Sequence, residues 1–170
     1  MLSQFTSQEG KQTLKDYFNV PNDVYPVGRL DYDSEGLLIL TNDKKVNNLL
    51  LDPKHKHKKE YWVQVDGSIN LDSVKKLQQG VTISVDGRQH QTKKCAVNFF
   101  ENDPDVPERN PPIRLRKNIP TSWVKIELTE GKNRQVRKMT AVVGFPTLRL
   151  IRYSIEQLTI EGLQPGEMRM

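Results

Sequence analysis

A strand-rich α+β fold is predicted by three features of the 170-residue chain. Segments near 24–30, 36–40, 61–65, 122–130 and 147–155 carry alternating or continuous apolar residues bounded by Gly, Pro, Asn or Asp, the pattern of strands. Segments near 7–18, 44–52, 70–79 and 133–143 place apolar residues at helical spacing. No internal repeat, low-complexity tract or linker interrupts them, so residues 1–170 read as one domain of ordinary size.

Each element has a local reason. Thr6 and Glu9 have capping-box spacing ahead of Leu14, Tyr17 and Phe18, which predicts a helix over about 7–18 that Pro21 ends. A strand over 24–30 then enters a polar loop at 31–35, and 36–40 reads as a fully buried strand closed by Thr41-Asn42-Asp43. Asp43 can cap a helix whose Val46, Leu49 and Leu50 face inward, with Pro53 as its stop. In the strand at 61–65, Tyr61, Val63 and Val65 alternate with Trp62, Gln64 and Asp66. Asn70 can cap a helix with Leu71, Val74 and Leu77 on one face, and Gly80 stands where a C-terminal glycine belongs. Residues 81–85 and 91–100 read as a hairpin about Asp86-Gly87.

Residues 101–120 hold five prolines and four Lys or Arg, too irregular for a regular element and too basic for an ordinary spacer. A strand follows at 122–130. Asn133 can cap the next helix, with Val136, Met139 and Val143 inward and Arg134, Arg137, Lys138 and Ala141 on an adjoining face. Gly144 and Pro146 end it, and strands at 147–155 and 158–160 complete the chain.

Composition narrows the function. No apolar run approaches the roughly 20 residues of a spanning helix, and no signal pattern opens the chain, so no membrane partner is expected and a cytoplasmic location follows by default. A single cysteine, Cys95, excludes an internal disulfide and a multi-cysteine zinc site, and it reads as a small buried hydrophobe. His55 and His57 lie within Lys54-His55-Lys56-His57-Lys58-Lys59. There a solvated basic turn that meets phosphate is favoured over a metal site. Charge is asymmetric: between 109 and 152, eleven Lys or Arg face two Glu for a local net of +9, so the rest of a chain of net +5 carries −4. A basic half beside a slightly acidic one suits a polyanion held on one face, which makes nucleic acid the favoured partner and the basic 101–120 loop a candidate to face it.

Asp31 is the most informative position. It follows Gly28-Arg29-Leu30 and precedes an apolar run, so a carboxylate stands at a strand end near rigid backbone. Alone, such an aspartate usually makes an Asx-turn. The surrounding stretch, through Gly36 to Thr41-Asn42-Asp43, resembles the signature of the pseudouridine synthases that act on small- and large-subunit ribosomal RNA. Two further blocks match in order: 59–67, with Lys59-Glu60-Tyr61, and 130–139, with Arg134-Gln135-Val136-Arg137. Segments 110–114, 119–123 and 144–153 resemble the branch acting on the large subunit.

The resemblance implies a long bent mixed sheet with a central cleft and flanking helices. It makes Asp31 the catalytic carboxylate, Tyr61 the active-site tyrosine, and Arg137 the arginine facing Asp31. On the basic helix Arg134 and Lys138 are assigned to phosphate, Arg29 could either meet phosphate or contact Asp31, and Lys132, Gln135, Arg149 and Arg152 join the expected RNA ligands. The partner implied is ribosomal RNA of the 23S kind, with no DNA, and the protein is expected to act as a monomer. Converting uridine to pseudouridine moves no electrons or groups to another molecule, so neither cofactor nor metal is expected. This agrees with the lack of a phosphate loop or dinucleotide-binding turn. Two family features are expected to be missing: an opening strand with a Lys-Pro motif ahead of Leu2, and a small N-terminal RNA-binding domain of the S-four type. The absent strand keeps a second class in play, an inactive RNA-binding or assembly module of the same fold.

Overall fold

The computed structural model describes residues 1–113 and 118–170. Arg114, Arg116 and Lys117, counted in the basic half, lie outside the described residues, as does part of the 110–114 segment.

Three long strands form the centre. β4 (Lys59–Asp66) pairs antiparallel with β8 (Thr121–Leu128) on one side and with β9 (Thr147–Ile155) on the other. β7 (Ala96–Phe99) extends the sheet beyond β8 and β10 (Leu158–Thr159) beyond β9, giving the order β10-β9-β4-β8-β7. β2 (Glu35–Gly36) joins β9 in parallel, which makes the sheet mixed. β4 and β8 are interior strands, and the side chains of Val63, Val65, Val124 and Ile126 are fully buried. Each contributes about 1.5–3 kcal/mol of apolar burial.

Two helices cover one face. α2 (Leu71–Gln79) is capped as expected, the Asn70 side chain accepting from the Ser73 N–H at 2.9 Å, and buries Val74 and Leu77. Leu71 departs from the expected stripe and is 56% exposed. α3 (Gln135–Val142) buries Val136 and Met139 in the same core. Its cap differs from the expected one: Arg134, in left-handed backbone at φ +53°, occupies the N-cap, and Asn133 does not cap. Gln135 instead closes the helix start, its Oε1 accepting from the Lys132 N–H at 2.9 Å and its Nε2 donating to Glu130 at 2.7 Å.

The N-terminal quarter departs most from the periodicity. The expected helix over 7–18 is only a 3-10 turn at Leu14–Asp16, boxed by Thr13 and Asp16, because residues 2–13 fold back on themselves through Leu2–Thr13 and Gln8–Lys11 bridges. The two expected strands shorten to β1 (Tyr25–Pro26) and β3 (Leu40–Thr41), which pair with each other. Between them the chain is fixed by single contacts, and 37–40 is half-buried rather than fully buried. Val27 N–H donates to Ile39 O at 2.8 Å, Leu37 N–H to Arg152 O at 2.8 Å, and the Ser3 hydroxyl both accepts from Leu30 N–H and donates to its carbonyl.

α1 (Lys44–Leu51) is capped by Asp43 but buries no residue; Val46 and Leu49 stand 37% and 48% exposed. The Asp86-Gly87 turn is made, both residues at positive φ, between β5 (Thr82–Val85) and β6 (Arg88–Gln91). The expected second strand is split, however, and its latter part, β7, crosses to the main sheet. Cys95 is half-buried against the core, its thiol pushed up to about 11 chiefly by burial.

Candidate active site

A cleft of about 810 Å³ opens between the start of β4, β9 and the loop that leads into β2, within the ~300–1,000 Å³ range of small-ligand sites. Asp31, Tyr61, Arg152 and Arg134 all line it. Tyr61 on β4 stands opposite Arg152 on β9, and Gly36 of β2 lies on the other side of Arg152. The sheet junction thus carries the tyrosine and arginine, and the 31–35 loop, tied to that junction through β2, carries the carboxylate.

Arg152 is 5% exposed, and its Nε donates to Leu37 O at 2.8 Å. Burial lowers its proton affinity, and the adjacent Tyr61 phenol partly offsets this. Burial likewise raises Tyr61 above the usual phenol range, against the pull of Arg152. Tyr61 therefore remains a neutral phenol at physiological pH, able to donate or accept one hydrogen bond.

The Asp31 carboxylate has the Arg134 guanidinium 3.7 Å away. Arg137, expected to face Asp31, feels the charge of that carboxylate, while its hydrogen bonds go to the next turn of the loop. Its Nη2 donates to Asp33 O at 2.7 Å and to the Ser34 hydroxyl at 3.3 Å, and lies 3.5 Å from the Asp33 carboxylate. Asp33 also receives both Arg134 nitrogens in a bidentate pair at 2.8 and 2.9 Å. That hydrogen bonding holds Asp33 below the usual carboxylate range in spite of its partial desolvation, while burial lowers Arg137 and Asp33 partly restores it. The catalytic-type loop is thereby stapled to the start of α3 by two arginines acting through Asp33.

The remaining expected RNA ligands separate into groups. Arg29 and Lys132 line the cleft and are exposed. Lys138 does not line it. Gln135 is 4% exposed and holds the turn before α3. Arg149 is 8% exposed and bound to Glu35 at 2.8 and 3.0 Å and to Pro107 O at 2.8 Å, so it anchors the loop after β7. Arg109 adds a second contact to Glu35 at 3.0 Å. Sequence reading missed Asp33, Ser34 and Glu35, whose partners lie more than 70 positions away along the chain and leave no local signature. It also missed Glu130. This nearly buried carboxylate accepts from Lys93 N–H and Gln135 and faces His90, and these bonds hold it below its ordinary range against desolvation. No cluster of three or more His, Cys, Asp or Glu able to hold a metal occurs among the described residues.

A family model described as RNA pseudouridylate synthase matches residues 2–142, and the chain belongs to that family. Within it, the chain is 51% identical over 168 residues to ribosomal large subunit pseudouridine synthase E of Vibrio parahaemolyticus, covering 99% of this chain and 68% of that protein. It is 46% identical over 167 residues to the protein of the same name in Xanthomonas axonopodis pv. citri, covering 97% and 85%. A crystal structure of a pseudouridylate synthase superposes with a TM-score of 0.72 at 25% identity, covering 91% of this chain and 60% of that one. The resemblance carried by the three motif blocks and the α+β class both stand.

Proposed function

We propose that this protein converts a specific uridine of large-subunit, 23S ribosomal RNA to pseudouridine, acting in the cytoplasm as a monomer through one catalytic domain. The observation that carries this reading is the meeting of Asp31, Tyr61 and Arg152 in one cleft at the sheet junction. The reaction breaks the bond between ribose C1′ and N1, turns the uracil, joins C1′ to C5, and transfers the C5 proton away while N1 gains one. Atoms and electrons balance within the nucleoside and water.

The target uridine must leave its stack to enter the cleft, and the Tyr61 ring offers a face for it. Asp31 stands where a carboxylate can stabilise positive character at C1′, bond to it, or take a neighbouring ribose proton. Arg134 lies 3.7 Å from the Asp31 carboxylate, without the shorter bidentate pairing it gives Asp33. Tyr61 can relay the C5 proton.

The direct test is release of tritium from C5-labelled uridine in transcribed 23S RNA. Stoichiometric release at one position is expected. Tight RNA binding without release would instead favour the assembly module. The arginines supply a second check. Arg134→Ala and Arg137→Ala are each expected to lower kcat by about 100-fold, the lower end of the ~10²–10³ lost with one preorganised donor. Lys138→Ala should change only the salt dependence of binding. Losses confined to KM in both arginine variants would show that these groups bind RNA and do not organise the Asp31 loop.

A further inference from the structure

We infer that the turn 52–58 is a second phosphate-binding rim of the same cleft, which grips the RNA backbone beside the target nucleotide. The inference rests on the reading of the protein as an RNA-modifying enzyme and adds a contact surface outside the three motif blocks. Lys56 and His57 line the cleft together with Asp31 and Tyr61, so the turn borders the site itself.

The turn is built rigidly. Asp52 caps a 3-10 turn at Pro53–His55, its carboxylate accepting from Lys54 N–H at 2.9 Å, and Lys56 then takes left-handed backbone at φ +51°. His57, expected to be solvated, is half-buried: Nδ1 lies 3.0 Å from Glu156 Oε1 and Nε2 2.9 Å from Leu49 O. Glu156 also accepts from Lys58 N–H at 2.7 Å and donates its own N–H to Lys58 O at 2.9 Å. One histidine and one glutamate therefore fix the turn against both the end of α1 and the corner after β9.

The cations of the turn are unequally used. Lys58 pairs with Glu127 at 3.1 Å, and Lys59 is half-buried, its proton affinity lowered by burial and then by Arg152. Lys54 and Lys56 are exposed and take part in no ion pair among the described residues. The turn holds three lysines, with Lys59 following at the start of β4, and the self-repulsion of this run is relieved by a polyanion. On the motif side of the cleft, by contrast, Arg134 and Arg137 are committed to Asp33. The free charge for the RNA backbone on this side is thus Lys54 and Lys56.

Phosphate neutralisation sets the salt slope of binding, at roughly 0.7 per contact for a single strand. Lys54→Gln with Lys56→Gln should flatten that slope by about 1.4 and weaken binding of transcribed 23S RNA about tenfold or more at low salt. KM for tritium release should rise while kcat stays near wild type, since neither lysine touches the reacting atoms. Lys75→Gln with Lys76→Gln, on the exposed side of α2, removes the same charge elsewhere and should leave the slope unchanged. Equal flattening in both pairs, or none in the first, overturns the inference. Wild-type protein that binds with a normal slope but releases no tritium would count against the enzymatic reading alone, and the comparison of slopes would still decide the rim.

Discussion

Asp31→Ala is expected to abolish pseudouridine formation, lowering tritium release by about three orders of magnitude or more, the scale on which loss of a reacting group acts. Asp31→Asn, nearly isosteric, should do the same. Neither change should cost much stability. The Asp31 side chain is 30% exposed, and its ion pair with Arg134 is the longer of two; the bidentate pair to Asp33 survives intact. Affinity for RNA should also change little, because the cationic groups around the cleft remain. Measured together, tritium release, thermal midpoint and RNA affinity separate chemistry from folding and binding. Substantial turnover by Asp31→Ala would remove the carboxylate from the mechanism, and a fall in all three would make it a structural residue.

What the sequence displayed and what it hid differ by the range of the interactions involved. The strands at 59–66, 121–128 and 147–155 were legible because β4 and β8 lie inside the sheet and β9 is buried along 149–152, so burial shapes their apolar pattern directly. The Asn70 cap was legible because a cap acts within three residues. The stretch from 24 to 41 was misjudged for the opposite reason. Its backbone partners are Ser3, Ile39 and Arg152, and no window around Leu37 contains the last of these. The Asn133 cap failed because Gln135 and Glu130 already close that turn with side chains of their own.

The same distinction governs the site. Asp31, Tyr61 and Arg137 were found through motif resemblance, and the structure brings the first two into one cleft. Arg137 feels the charge of Asp31 but donates its hydrogen bonds to Asp33 and Ser34, and the guanidinium within ion-pair distance of Asp31 is that of Arg134. Spacing along a helix places both arginines near one end of α3, but it cannot say which of two aspartates each one meets. Arg134 reaches both from left-handed backbone at the N-cap, whereas Arg137 meets Asp33 from within the helix.

Gly36→Ala is expected to be the most disruptive single substitution in the region that carries the site. Gly36 has φ +107°, and an added Cβ would fall against the Arg152 carbonyl oxygen, 2.6 Å from the Arg152 amide nitrogen and 2.8 Å from its carbonyl carbon. All three are backbone atoms of β9, which cannot swing aside as a side chain can. Backbone strain of about 1–3 kcal/mol adds to overpacking of similar size. A total near 3 kcal/mol corresponds to a fall in Tm of about 6–12 °C for a chain of this length. Gly144→Ala separates the two contributions: Gly144 has φ +92° but nothing within 4 Å of its added Cβ, so only the strain applies and roughly half the shift is expected. Gly36→Ala should also lose turnover even below its melting temperature. Relief of the clash requires β2 to part from β9, which breaks the Leu37–Arg152 pair of hydrogen bonds and releases the loop that positions Asp31. Equal midpoints for the two variants, with tritium release by Gly36→Ala near wild type, would show that the loop is not held by this strand.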